Sequence, residues 1–269
     1  MTIKDKNHPT DISVSVVVYR DFETPEKMLA SLEEQTSPNL AKRVFVVDNS
    51  ALRFGEEGTT EQKSFKEFLA RYSDITYLDA GENLGFGKAN NIALRESDAE
   101  FHAFVNPDVV FLEDSLSMLV EYLRGNPDVG MVIPRMIGDD GQLLKVYRRD
   151  PTLLDALNRT ILGNRLQKRD NFHTLQDMDY SKPFDLPFGQ GSFLVGRSGL
   201  LKGLGGFDER YFMYLEDADL CRRVNQVSVL RYVPITTIQH KWERSSHKNG
   251  KLLLEHVKSY GRYFARWGL

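Results

Sequence analysis

The chain predicts an α/β fold in which a mostly parallel sheet is covered by helices on both faces. Three observations carry this. Strongly apolar, β-branched runs recur that are too hydrophobic for half-exposed strands. Segments of helical period alternate with them. Tyr19, Asp48, Asp79 and Asp108 fall at or just after the ends of those runs, where ligands sit in such sheets.

Residues 12–19 (Ile-Ser-Val-Ser-Val-Val-Val-Tyr) read as a central parallel strand. Thr24 and Pro25 supply an N-cap and a first helical residue, and Met28, Leu29 and Leu32 form the buried stripe of the helix they open. A second strand is expected over 44–47, ending in Asp48-Asn49-Ser50, then a helix over 64–72 through Phe65, Phe68, Leu69 and Tyr72. The alternation continues with a strand over 75–78, a helix over 86–95, a strand over 101–105, a helix over 114–123 and a strand over 129–133. It fails after Pro134. Residues 148–183 are polar, basic in places and broken by Pro151, Gly163 and Pro183, which predicts a helix-containing insertion over the sheet edge. Strands then resume over 193–195 and 230–233, with a helix over 216–224 between them.

At 269 residues the chain can bury a full core, and the reading is one domain over 1–240, with an insertion or acceptor region at about 145–185 and an amphipathic helical tail over 241–269. A net charge of -3 gives no general attraction to nucleic acid, which is excluded as a partner. Cys221 is the single cysteine, so no internal disulfide and no Cys-rich zinc pattern is expected. With a polar N-terminus and no apolar run of membrane-spanning length, the expected place is the cytoplasm, with at most a peripheral contact on the inner face of the plasma membrane.

Two acidic clusters carry the chemistry. Asp108, in Asn106-Pro107-Asp108, follows a buried strand, and the proline holds Asn106 extended, so the carboxylate points out of the sheet where a cation could lie against phosphate oxygens. Ordinary turn chemistry is the competing reading, since Asn126-Pro127-Asp128 repeats the tripeptide. Glu216, Asp217 and Asp219 open a helix. Plain capping would explain them, yet three acids so close repel one another, which raises at least one pKa and keeps a base useful near neutral pH. Asp217 shares its helix face with Leu220, Cys221 and Val224 and is expected in a cleft, whereas Asp219 is expected to face Arg222 or Arg223.

Asp48 can accept from the N–H of a pyrimidine base, and Asn83 to Asn91 sets Gly85, Gly87 and Lys88 where a helix starts, either an anion site or a capped helix with a glycine hinge. His240, after a strand, can complete a metal shell or stand as a surface histidine. The tail puts Leu253, Val257, Tyr260, Phe264 and Trp267 along one helical side, which fits a helix docked on the domain or a foot on an anionic membrane.

Taken in order, Val-Ser-Val-Val-Val-Tyr, Val-Val-Asp-Asn-Ser, Asn-Leu-Gly-Phe-Gly-Lys-Ala-Asn-Asn, Asn-Pro-Asp, the block Gly205 to Arg223 and His240 resemble the family 2 glycosyltransferases, in their bacterial rhamnosyltransferase-like branch. The resemblance implies a GT-A fold, a sugar-nucleotide donor, a divalent cation (Mg or Mn) and inversion at the anomeric carbon. It implies that Tyr19, Arg20 and Asp48 line the nucleotide, and that Asn83, Gly85 and Lys88 lie near ribose and diphosphate. Asp108 and His240 would hold the metal, with Asn106 where the fuller Asp-x-Asp signature has its first acid, and Asp217 would be the base. The branch implies dTDP-β-L-rhamnose as donor. The acceptor expected from the insertion's Arg148, Arg149 and Arg159 and from the basic tail is a saccharide, or one linked to a polyprenyl diphosphate. A UDP-hexose donor, a noncatalytic nucleotide-binding scaffold and a homodimer remain open alternatives.

Overall fold

The computed structural model describes residues 10–50, 58–160, 162–163, 165–241 and 250–268. In chain order they form β1 (Ile12–Val18), α1 (Glu23–Gln35), β2 (Lys42–Asp48), α2 (Thr60–Leu69), β3 (Ile75–Asp79), α3 (Phe86–Glu96), β4 (Phe101–Val105) and β5 (Val109–Phe111). There follow α4 (Ser115–Gly125), β6 (Val129–Ile137), β7 (Tyr147–Arg148), α5 (Leu153–Thr160), α6 (Gln167–His173), β8 (Phe184–Asp185), β9 (Phe188–Gly189) and β10 (Phe193–Arg197). The chain continues with α7 (Ser198–Gly203), α8 (Glu216–Asn225), β11 (Val229–His240) and α9 (Gly250–Trp267).

Side chains alternate across a strand, so a strand with both faces buried needs apolar or hydrogen-bonded residues at every position. On β1, Val14, Val16 and Val18 join the core that contains Met28, Leu29 and Leu32 of α1 and Phe65 of α2. The other face carries Ser15, whose hydroxyl donates to Asn90 Oδ1 of α3 at 2.6 Å. Phe45 and Val47 of β2 pack on Ala89 and Ala93 of the same helix. Helices therefore cover both faces, as the apolar runs predict.

The sheet order is β3-β2-β1-β4-β10-β6-β11-β5. Ladders β3/β2, β2/β1, β1/β4 and β6/β11 are parallel and carry most of the paired residues, while β10 enters antiparallel between β4 and β6. Strands β5 and β8 pair antiparallel with β11. An antiparallel strand begins where its parallel neighbours end. Hence Ser192, just before β10, accepts from the N–H of Asn106, just after β4, at 2.8 Å. His240, at the end of β11, lies opposite Val109 of β5 and so beside Asp108.

Several boundaries differ from expectation. The first helix begins at Glu23 with no side-chain hydrogen bond from its cap residue Phe22, and Asp21 instead accepts from the N–H of Thr24 at 3.2 Å. Strand β6 does not stop at Ile133 but runs through Pro134 to Ile137. The buried hydroxyl of Tyr147 pairs the backbone beside the proline, donating to Pro134 O at 2.6 Å and accepting from Met136 N–H at 2.7 Å. Strand β11 likewise runs past Val233 to His240, with its register shifting between Val233 and Thr237. The short β5 had no periodicity long enough to announce it.

On α9 the buried line is His256, Ser259 and Tyr263, while Leu253 and Val257 are about half exposed. Tyr260, Phe264 and Trp267 pack on the core, so the apolar side read from the sequence is docked in its second half only. Two anchors set that docking: Ser259 Oγ donates to Met213 O at 2.8 Å, and Trp267 Nε1 donates to Asp219 Oδ1 at 2.9 Å. Asp219 is fully buried and paired with Arg223 at 2.8 Å, and the same guanidinium donates to Leu204 O and Gly206 O at 2.9 and 2.8 Å. Replacing Asp219 by alanine would strand a buried arginine and release Trp267, so Asp219→Ala is expected to lose about 3–5 kcal/mol in urea unfolding with a red-shifted Trp emission, and Asp219→Asn less.

Candidate active site

The C-terminal edge of the sheet, α8 and the 145–185 region enclose a cleft of about 360 Å³. Asn106, Asp108, Asp217 and His240 line it, together with Glu216, Gly191, Arg148, Arg159 and His173. Asp108 and Asp217 thus share one cavity despite their separation in sequence.

The α8 end of the cleft starts from an unusual backbone. Tyr214 and Leu215 both have positive φ, 71° and 65°, and turn the chain directly into the first turn of α8. That sets Glu216 and Asp217 side by side. Asp217 is anchored at both oxygens: Gly191 N–H donates to Oδ2 at 3.0 Å and Ala218 N–H to Oδ1 at 2.9 Å. A Cβ on Gly191 would stand 3.2 Å from Asp217 Cβ, a tight contact. Burial raises the pKa of Asp217, and the two backbone donors and the charge of Arg148 pull back toward ionisation. Glu216, 5% exposed with Oε2 unpartnered among the described residues, has only its own backbone N–H to favour its charge. Burial first and the charge of Asp217 second push it well above the usual carboxylate range. Of the two, Glu216 is pushed further from ionisation, and the anchors on Asp217 favour the charge there. Asp219, the third acid, is committed to Arg223 and lies outside the cleft lining.

At the sheet edge, His240 Nε2 lies 3.1 Å from Asp108 Oδ1, yet that oxygen has no hydrogen-bond partner among the described residues. The two groups meet in distance but not in hydrogen-bond direction. Neighbouring ligands at about 2.1 Å around one octahedral cation stand about 3 Å apart, so the pair fits a divalent ion. Among the described residues no three His, Cys, Asp or Glu side chains are grouped to hold a metal. The remaining shell would fall to phosphate oxygens and water, as magnesium usually has it.

The residues expected around a nucleotide lie outside this cleft lining. Tyr19 is 47% exposed with the Arg20 guanidinium 5.3 Å from its ring, and Arg20 itself is left-handed (φ 56°) with its N–H on Ser50 Oγ. Asp48 is 1% exposed, and both its oxygens already accept: Oδ1 from Ser50 N–H, Oδ2 from Gln62 Nε2 and the Tyr77 hydroxyl at 2.6 and 2.5 Å. A base would meet only the second lone pair of Oδ1. Asn83 Oδ1 accepts from Asn49 and from Gly85 N–H, which shapes the turn into α3. Gly85 (φ 79°) is required because a Cβ would meet Phe212 O at 2.0 Å. Lys88 is half-buried on α3, with its charge near Glu209. Of the insertion's arginines, Arg148 and Arg159 line the cleft, but Arg149 does not: it pairs with Asp177 at 2.7 Å and stacks on Phe172. The sequence reading missed Asn49, Gln62, Tyr77 and Gly191. Only Gly191, between Gln190 and Ser192 ahead of a buried strand, carried a visible signal.

Residues 13–204 match the family model described as Glycosyl transferase family 2. An N-acetylglucosaminyl-diphospho-decaprenol L-rhamnosyltransferase of Mycobacterium tuberculosis is 29% identical over 266 residues, covering 93% of this chain and 82% of the relative. Rhamnosyltransferase WbbL of Escherichia coli K12 is 30% identical over 217 residues, 75% of this chain and 77% of its own. Among solved structures, GalNAc-T7 with UDP, GalNAc and Mn2+ has a TM-score of 0.70 at 13% identity over 96% of this chain, which spans 48% of that one. The mannosyltransferase PcManGT of Pyrobaculum calidifontis, in complex with GDP-Man and Mn2+, has a TM-score of 0.63 at 19% identity, covering 98% of this chain and 67% of its own. At such identities the structures speak for the fold alone, and the fold is GT-A.

The carboxyl pair makes a stability prediction. A raised pKa in the fold means that Glu216 contributes its full stability below the unfolded value, about 4.3, and loses it as pH rises through the folded value. Glu216→Gln, neutral throughout, is therefore expected to match the wild-type melting temperature near pH 4 and to exceed it by a margin that widens toward pH 8. A margin that does not change with pH would show Glu216 ionised in the fold.

Proposed function

We propose that this chain, which belongs to glycosyl transferase family 2, transfers L-rhamnose from dTDP-β-L-rhamnose, with inversion, to a saccharide carried on a polyprenyl diphosphate. Being a glycosyltransferase follows from the family; the sugar and the acceptor are our reading. The observation that carries it is the likeness to two rhamnosyltransferases over three quarters or more of this chain, one of them named for an N-acetylglucosaminyl-diphospho-decaprenol acceptor.

The residues of the cleft support the chemistry. Asp217, whose charge the N–H groups of Gly191 and Ala218 favour, takes the proton from an acceptor hydroxyl as that oxygen attacks the anomeric carbon. Single-step displacement needs the base and the leaving group in one cavity, and Asp108 and Asp217 line the same one. Asp108 and His240 would hold a divalent cation, Mg or Mn, which when bound neutralises charge growing on the leaving diphosphate. Tyr19, Arg20 and Asp48 would line the nucleotide, with Asn83, Gly85, Lys88 and Asn106 toward ribose and diphosphate. A covalent route through Cys221 has no support, since the thiol is buried and its pKa is pushed up by that burial.

In this reading residues 145–185 receive the acceptor, and the 241–269 tail rests against a membrane surface. Leu253, Leu254 and Val257 of α9 are about half exposed, and no helix among the described residues is long and apolar enough to cross a membrane.

Asp217→Asn is expected to lower kcat by about 10²–10⁴-fold; transfer at the wild-type rate would sink the assignment of the base. Transfer assayed with dTDP-L-rhamnose and with a set of UDP-hexoses tests the donor, and a preference for a UDP-hexose would displace rhamnose from the reading. Chelation is expected to stop transfer, with Mg or Mn restoring it, and Asp108→Ala to require at least tenfold more metal for half-maximal rate.

A further inference from the structure

Beyond the base and the metal pair, the cleft holds a group of cations that the mechanism above does not use. Arg148 projects into it from β7, held there because the neighbouring Tyr147 is fixed between Pro134 and Met136. Arg148 is 8% exposed, its Nε has no partner among the described residues, and its one side-chain hydrogen bond is a long 3.5 Å contact to Gln190 Oε1. Among the described residues neither Arg148 nor Arg159 has a carboxylate within ion-pair distance, and the charges of Asp217 and Asp170 act on Arg148 only from farther off. Asp155 is held by Arg169 at 2.6 Å, and Asp170 lies 3.9 Å from Lys145.

A buried guanidinium without a counter-ion is costly, and here the cost is visible: burial and the charge of Arg159 bring the pKa of Arg148 down to about 10. The same two arginines help to depress His173, which is pushed down to about 4 and is neutral at physiological pH. The charges of Asp217 and Asp170 offset that cost only in part, and a full counter-charge would have to arrive with a ligand. Two guanidiniums suit a multiply charged phosphate group, which each can grip with two donors.

We propose that Arg148 and Arg159 form a second anion subsite, distinct from the donor's diphosphate at Asp108 and His240, which receives the diphosphate of a lipid-diphosphate-linked acceptor. The proposal rests on the reading of the chain as a transferase to such an acceptor, and it says where that acceptor's charge is recognised. Two further observations favour the acceptor over the donor as the source. The charge of Arg148 acts directly on Asp217, and the base faces the acceptor hydroxyl, so an anion beside the base belongs to the acceptor's side. The helices that line this part of the cleft through Asp155, Arg159, His256 and Tyr260 turn exposed apolar residues outward, Leu153, Leu154 and Leu157 on α5 and Leu253, Leu254 and Val257 on α9. A polyprenyl chain leaving the diphosphate would meet those leucines.

The test uses two acceptors bearing one sugar, the first on a phenoxyalkyl diphosphate and the second on an uncharged alkyl chain. The wild-type protein is expected to show a KM at least tenfold lower for the diphosphate acceptor, and Arg159→Gln and Arg148→Gln to reduce that preference at least tenfold. Arg159 is half-buried, so its variant tests the subsite even if the one at Arg148 fails to fold. Loss on both acceptors in equal proportion, or loss that appears in KM for the donor, would overturn the proposal. A binding readout needs no turnover: methylenebisphosphonate titrated calorimetrically in EDTA should bind the wild type and bind Arg159→Gln at least tenfold more weakly. No binding to the wild type, or equal binding to both, also overturns it. Failure of the wider reading looks different, as a wild-type protein that binds the bisphosphonate but transfers rhamnose to neither acceptor.

Discussion

The buried pair of Asp219 and Arg223 is the constraint on which the acidic helix depends. One guanidinium satisfies Asp219 and the carbonyls of Leu204 and Gly206, so α8 is tied to the turn after α7, and Asp219 in turn holds Trp267 of α9. Removing a charge pair from water is unfavourable unless every remaining donor and acceptor is met, and here they are met by groups from three separate segments. That cross-linking fixes the azimuth of α8. Asp219 points into the protein, and Glu216 and Asp217 line the cleft.

The topology does the rest. A parallel sheet gathers its strand ends on one edge, and the antiparallel β10 starts from that same edge, so Gly191 can hold Asp217 while Ser192 holds Asn106. Strand β11 brings His240 to Asp108 by its pairing with β5. Asp108, Gly191, Asp217 and His240 are thus brought to one cleft from four distant stretches of chain.

Much of this was legible in the sequence, because burial on both faces leaves an unmistakable pattern: β1, β4, α3 and α4 lie within a residue or two of where period and capping put them. The glycines at 85 and 206 also belonged to a recognisable block, but their cause was not readable. Gly85 makes room for Phe212 O, and Gly206 for Asn91 Oδ1, contacts between segments more than a hundred residues apart. Asp48 shows the limit from the other side. Gln62 and Tyr77 both bond its Oδ2, and nothing in the spacing of those residues announces that they converge. Strand β5 and the extensions of β6 and β11 were hidden for a related reason, since short or proline-containing strands are fixed by their neighbours' ladders rather than by their own composition.

The two consecutive left-handed residues ahead of α8 have a thermal consequence. For non-glycine residues that conformation costs about 1–2 kcal/mol each, and it is held in place from outside, by the ring of His256, tilted against Tyr214 at 4.4 Å, and by the bond from Ser259 to Met213 O. On heating, α9 has fewer buried anchors than the sheet, so the bent segment would relax while the strands stay paired. Activity would then fade at temperatures where circular dichroism still reports an intact protein, and the loss would reverse on cooling.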